Sequence, residues 1–220
     1  MDIKDALKHI VENKNLNREQ SAAIFDVIMT GRATDAQIGA FLSAIRVKGE
    51  TAEELAGAAL TMRTLSTRVD LPQVEHLVDT CGTGGSGIKL FNISTAAAFV
   101  ASAAGVTIAK HGNRKMTSFC GSADLLEAAG VKLDLMPKKI AECIEKIGIG
   151  FMFAPAHHSA MRYAGPVRQE LGIRTMMNVL GPMTNPAGAK RQVIGVFSPD
   201  WQVRIAEVLQ ILGSEHALVV

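Results

Sequence analysis

A chain of 220 residues with 48% hydrophobic and 20% charged residues has ample material for a buried core and does not read as a disordered segment. Its 23 Lys and Arg against 21 Asp and Glu leave a net charge of +2, which argues against a nucleic-acid partner and requires any anion to be met locally. Three widely spaced cysteines, Cys81, Cys120 and Cys143, form no C-x-x-C pair and read as reduced thiols of a cytoplasmic protein.

The first five residues lack the basic-then-apolar pattern of a signal peptide. Residues 1–70 read as an all-helical domain. Asn17 with Gln20, Thr34 with Gln37, and Thr51 with Glu54 place a capping residue three positions before Gln or Glu. Gly31 and Gly49 stand where helices should end. Ile24, Val27 and Ile28, then Ile38, Phe41, Leu42 and Ile45, then Leu55, Ala58, Ala59 and Met62 follow the helical period. Each helix is short and one-sided, so the bundle is expected to pack on something further.

After Leu71-Pro72 the pattern changes to alternating strands and helices, which defines a second domain over residues 71–220. Strands are expected at residues 76–80, 106–109, 150–153, 193–197 and 217–220. Helices are expected from a Ser94/Thr95 cap to about residue 104, and over residues 123–129, 138–147, 167–171 and 201–212. This alternation implies a mainly parallel sheet covered by helices, an α/β class. Residues 90–109 carry no charge over a membrane-span length, but Asn92, Ser94, Thr95, Ser102 and Thr107 interrupt them and Gly105 splits them. They read as a buried helix–turn–strand, and no membrane partner is expected. The chain stops inside its last expected strand, which reads as a fragment of something longer.

The segment Asp79-Thr80-Cys81-Gly82-Thr83-Gly84-Gly85-Ser86-Gly87 places four glycines between a strand and a helix. Such backbone approaches a ligand closely and turns successive N–H groups into one concavity, which suits phosphate. Gly82-x-Gly84-x-x-Gly87 also spells the dinucleotide fingerprint. The helix cap comes late, however, and no Asp or Glu occurs over residues 86–122, so that reading fails. A second loop, Lys110-His111-Gly112-Asn113-Arg114, gathers cations and amides where a strand ends, with Lys115, Thr117, Ser118 and Ser122 downstream as further donors.

His157-His158 tempts a metal assignment, but no third ligand accompanies the pair, so a structural or hydrogen-bonding role is expected. Arg168, just after Pro166, suits a carboxylate. Residues 178–186 are turn-rich and read as scaffold. No Ser-His-Asp order, P-loop lysine or paired catalytic carboxylates stand out, so no catalytic residue is assigned. Chemistry that needs positioning and charge neutralisation fits best.

Gly82-Thr83-Gly84-Gly85, Asn92-Ile93-Ser94-Thr95, Lys110-His111-Gly112-Asn113-Arg114, Gly121-Ser122-Ala123-Asp124 and Gly181-Pro182-Met183-Thr184-Asn185-Pro186 together resemble the anthranilate phosphoribosyltransferase family. The resemblance spans the chain and implies a small helical domain that forms a homodimer, followed by a nucleoside phosphorylase-like α/β domain. It implies transfer of the phosphoribosyl group of 5-phosphoribosyl 1-pyrophosphate to anthranilate in tryptophan biosynthesis, with Mg²⁺ as cofactor. Gly82, Gly85, Ser86, Asn92, Ile93, Ser94, Thr95, Lys110, Gly112, Asn113, Lys115, Ser118 and Ser122 would hold phosphoribosyl pyrophosphate. Ser94 would also ligate the metal. Gly82, His111, Asn113 and Arg168 would line the anthranilate path, with Arg168 facing the carboxylate.

The chain departs from the family pattern at Ser86, usually Asp, at Leu90, usually Thr, and at Lys115-Met116-Thr117-Ser118, usually Ser-Val-Ser-Ser. Lys115 is an added phosphate contact in this reading. The family's second metal site uses an Asp-Glu pair absent from these 220 residues, so turnover is expected only, or mainly, in a form extended through the next strand. A pyrimidine nucleoside phosphorylase-like enzyme and a non-catalytic relative that binds nucleic acid or phosphate are the competing readings.

Overall fold

The computed structural model describes residues 1–84, 91–115 and 120–220. Four capped helices open the chain. Asp2 Oδ1 accepts the Asp5 N–H at 2.8 Å and starts α1 (Ile3–Val11). Asn17/Gln20, Thr34/Gln37 and Thr51/Glu54 each close a reciprocal capping box. They begin α2 (Arg18–Met29), α3 (Asp35–Lys48) and α4 (Ala52–Thr64). The buried faces are those the helical period selects, including Ile24, Ile28, Ile38, Phe41, Leu55 and Ala59. Phe25 meets Phe41 edge-on, ring centroids 6.2 Å apart.

The second domain has β1 (Val78–Gly82), α5 (Ile93–Ala103), β2 (Ile108–Gly112), α6 (Ser122–Ala128), α7 (Pro137–Ile147) and β3 (Ile149–Phe153). A short α8 (Ala154–His157), a 3₁₀ turn (Ser159–Tyr163) and α9 (Gly165–Leu171) follow. Two further 3₁₀ turns (Met176–Asn178 and Gly181–Met183) lead to β4 (Arg191–Gly195), α10 (Asp200–Ile211) and β5 (His216–Val219). All pairings are parallel, in the order β3-β2-β1-β4-β5. The bundle does pack further: Leu55, Ala58 and Ala59 of α4 share one apolar core with Ile205, Val208 and Leu209 of α10.

Several boundaries differ from the sequence reading: β4 spans Arg191–Gly195 rather than residues 193–197, β2 starts at Ile108 rather than residue 106, and most others move by one or two residues. β1 starts at Val78, not residue 76, because His76 sits at φ 55, outside extended backbone. β2 runs on to Gly112, so Lys110 and His111 are strand residues rather than loop residues. The cap position of α5 is Asn92, and Ser94 and Thr95 lie in its first turn. Asn92 supplies no side-chain cap; its Nδ2 donates to the Gly121 carbonyl.

Candidate functional site

The sequence-selected residues gather at the carboxyl ends of β1 and β2. Gly82 closes β1 and is exposed. Thr80 Oγ1 donates to the Ser94 carbonyl at 2.8 Å, tying α5 to β1. Ser94 and Ile93 therefore occupy the first turn of a helix aimed at this end of the sheet, where its dipole favours an anion. Thr95 is buried beneath them. Asn92 Nδ2 donates to the Gly121 carbonyl at 3.1 Å and so joins the first loop to the start of α6.

The second loop is fastened to α6. Asp124 Oδ2 accepts the N–H groups of Lys115 and Gly121, both at 2.8 Å. Ser122 Oγ donates to the Asn113 carbonyl at 3.4 Å. This fit requires glycine at two places. A Cβ on Gly121 would meet the Asn113 carbonyl at 2.6 Å and strike the Arg114–Lys115 peptide, while one on Gly112 would strike Ser122 Oγ. Asn113 and Lys115 are exposed, whereas Gly112 and Ser122 are half-buried. Gly85, Ser86 and Ser118 fall outside the described residues, as do Leu90 and Thr117.

Lys110 and His111 point inward. Lys110 is 3% exposed and its Nζ donates to the Thr80 carbonyl. Burial lowers the pKa of this ammonium against the opposing charge of Asp79. Burial likewise pushes the Asp79 carboxyl up, opposed by Lys110, Asn185 and the His111 N–H. Burial holds the Cys81 thiol well above its usual range, which suits an inert core residue.

Burial also takes the His111 imidazole down to about 3 and His158 to about 4. Their rings lie 5.1 Å apart, so each neutral ring packs on the other. His157 Nδ1 meets the Thr67 carbonyl at 2.6 Å, a structural hydrogen bond of the kind expected. Among the described residues no three His, Cys, Asp or Glu side chains are grouped to hold a metal ion. His158 leads through the 3₁₀ turn into α9, whose half-buried Arg168 has its pKa lowered by burial. The segment carrying Arg168 is thereby anchored, through His158, against the end of β2.

The sequence reading missed Asp79 and Asn185 as site-building residues. Asn185 Nδ2 donates to Asp79 Oδ2 at 2.8 Å and to the Ala109 carbonyl at 2.9 Å. Only the presence of Asn185 in the turn-rich segment hinted at a scaffold role.

A family model for the a/b domain of the glycosyl transferase family matches residues 74–220, and one for the helical bundle domain of that family matches residues 4–66. The chain belongs to this glycosyl transferase family. It is 58% identical over 220 residues to the anthranilate phosphoribosyltransferase of Cellvibrio japonicus, covering all of this chain and 64% of that protein. It is 59% identical to the one from Saccharophagus degradans, with the same coverage. The crystal structure of anthranilate phosphoribosyltransferase from Thermus thermophilus superposes with a TM-score of 0.91 at 45% identity, over 96% of this chain and 64% of that one. The Saccharomyces cerevisiae enzyme in complex with PRPP and Mg superposes with a TM-score of 0.90 at 29% identity, over 99% of this chain and 64% of that one. The chain thus spans a little under two thirds of the length of the relatives it matches. No helix among its described residues is long and apolar enough to cross a membrane.

Proposed function

We propose that this chain binds 5-phosphoribosyl 1-pyrophosphate and anthranilate and serves in their joining, the reaction that gives N-(5-phosphoribosyl)anthranilate and pyrophosphate in tryptophan biosynthesis. The observation that carries the reading is the meeting of both loops and α5 at one end of the sheet, in a chain 58% identical throughout to an anthranilate phosphoribosyltransferase. Gly82, Gly85, Ser86, Asn92, Ile93, Ser94 and Thr95 hold the pyrophosphate and ribose in this reading. Gly112, Asn113, Lys115, Ser118 and Ser122 serve the phosphates from the second loop, with Lys110 beneath them in β2, its buried ammonium on the Thr80 carbonyl. Gly82, His111, Asn113 and Arg168 line the anthranilate path, and the half-buried Arg168 fork pairs with its carboxylate.

In the reaction a carbon–nitrogen bond forms at the ribose C1, the bond from C1 to pyrophosphate breaks, and the amine gives up a proton. No side chain need bond covalently to the sugar. The protein's part is to hold the amine on one face of C1 and the leaving group on the other.

The described donors at the first loop are hydroxyl, amide and backbone oxygens with no carboxylate, which fits a magnesium ion carried mainly on substrate phosphates with Ser94 as a protein ligand. Bound there, Mg²⁺ supplies charge neutralisation of the departing pyrophosphate.

The boundary between the two units falls at residues 70/71, between the segments matched by the two family models. The helical unit serves a homodimer in this reading. A cytoplasmic location accords with the reduced thiols.

Anthranilate fluorescence tests the activity. With phosphoribosyl pyrophosphate and Mg²⁺ present, it is expected to fall with a version of the chain lengthened to the full extent of its relatives, and weakly or not at all with the 220 residues. No decay with either form removes the assignment.

A further inference from the structure

Parallel neighbours normally exchange backbone hydrogen bonds along their shared length. β1 stays in register with β4 from Val78 to Gly82, and β2 with β3 from Ile108 to Gly112. Between β1 and β2 the register is confined to Val78 opposite Ile108. Beyond that point side chains meet backbone groups of the two strands. The His111 N–H donates to Asp79 Oδ1 at 3.1 Å. Lys110 Nζ donates to the Thr80 carbonyl. Asn185 Nδ2 spans the gap, bonding Asp79 Oδ2 on β1 and the Ala109 carbonyl on β2. Asn185 is itself fixed, since its Oδ1 accepts the Ala187 N–H at 2.9 Å. Asp79 and Asn185 are 0% and 4% exposed, so water does not compete for these bonds.

We propose that Asp79 and Asn185 are positioning residues: they form a side-chain bridge that sets the spacing of the ends of β1 and β2, and through it the spacing of the two loops that hold phosphoribosyl pyrophosphate. The role in substrate binding rests on the function proposed above; the bridge itself does not. A shared backbone ladder would draw the two strands together up to their last residues. A bridge of side chains sets the carboxyl ends without that ladder, at the place where a ligand spanning both loops would sit. Thr80 Oγ1 passes the setting on to Ser94, and the His111 N–H passes it to the loop that starts at Gly112. A substrate held from both sides is sensitive to small errors in that spacing.

The test compares wild type with Asn185→Ala, Asp79→Asn and a control in the distant α10 core, Ile205→Val. Amide exchange is followed along the chain, and phosphoribosyl pyrophosphate with Mg²⁺ is titrated calorimetrically into each protein. In both bridge variants, exchange over residues 108–113 is expected to rise about tenfold, as for a lost buried hydrogen bond, with the dissociation constant rising by a similar factor. Ile205→Val is expected to change neither. Asp79→Asn keeps the volume and the acceptor towards His111, and carries the test if Asn185→Ala does not fold. Unchanged exchange over residues 108–113, or acceleration spread evenly over the chain, overturns the bridge. Local acceleration with unaltered affinity overturns its role in binding. If wild type binds no phosphoribosyl pyrophosphate, the proposed function falls while the exchange data still decide the bridge.

Discussion

Arg114 meets Glu127 with both terminal nitrogens, Nη1 to Oε2 at 2.6 Å and Nη2 to Oε1 at 2.9 Å. Nη1 also lies 3.4 Å from Asp124 Oδ1, and the guanidinium sits over the Phe153 ring. The arginine that the sequence places among phosphate-binding groups is thus engaged with α6, and acts as a strut for the loop after β2. Arg114→Ala and Glu127→Ala are therefore expected to weaken phosphoribosyl pyrophosphate binding equally, each by less than about fivefold, as befits an exposed ion pair. Calorimetric titration checks this. Loss of binding in Arg114→Ala alone would mean that the guanidinium contacts the substrate.

Gly121 is where the same loop presses on the start of α6. Any side chain there must displace the peptide between Arg114 and Lys115 or push α6 away. Gly121→Ala is expected to cost about 1–3 kcal/mol by overpacking and to weaken phosphoribosyl pyrophosphate binding at least tenfold. Denaturant melts and titration measure the two effects. A variant as stable and as tight-binding as wild type would show that the loop is held differently.

In the helical domain, Lys48 Nζ lies 3.0 Å from Glu54 Oε2, with side chains 3% and 0% exposed. Glu54 also accepts the N–H groups of Leu16 at 2.9 Å and Thr51 at 2.8 Å. Glu54→Ala strands two backbone donors and leaves the buried ammonium, still bonded to Asn15 Oδ1 and the Gly49 carbonyl, without its counter-charge, and is expected to cost about 3–5 kcal/mol. The double variant Lys48→Met, Glu54→Ala should lose less than the sum of the two single changes. Additive losses would show that the pair is not coupled.

The neutral pair His111 and His158 gives the fold an acid dependence. Both imidazoles titrate below the ordinary value of 6.5 when folded. The unfolded chain therefore binds more protons, and this contribution is full above pH 6.5 and lost as pH falls towards their folded values. One unit below 6.5 each ring accounts for about 1.4 kcal/mol. Asp79 and Glu50, raised by burial, act in the opposite direction in acid, so the informative quantity is a difference between variants. Between pH 7.5 and 5.5, His158→Gln should lose less stability than wild type. Parallel curves would show that the ring is not held neutral.

Much of this fold is legible along the chain because its signals are local. A capping residue and its partner three positions on announce α2, α3 and α4, and the apolar period picks out Ile38, Phe41, Leu42 and Ile45 as core. α1 carries no such box, since Asp2 is followed at that spacing by Asp5, which supplies its N–H alone. The ends of β1 and β2 were harder to read. Lys110 and His111 look like a polar loop because the pairing that makes them strand residues comes from Phe151 and Met152 of β3, about 40 positions later, and their bonds to Thr80 and Asp79 come from some 30 positions earlier. Asn185 is 106 positions from Asp79, and no periodicity links the two. Asn92 reads as part of a cap region, yet its amide goes to Gly121. Local rules find the elements, and partners brought by the sheet decide what each polar side chain does.

The central claim is that two substrates meet at the carboxyl ends of β1 and β2, phosphoribosyl pyrophosphate between the loops and anthranilate at Arg168. The most direct test titrates each substrate separately, with Mg²⁺ present, into wild type and Arg168→Ala. The dissociation constant for anthranilate is expected to rise at least about tenfold, the factor for a lost charge-assisted bond, while that for phosphoribosyl pyrophosphate stays within about twofold. An equal loss of both, or of neither, would contradict the account.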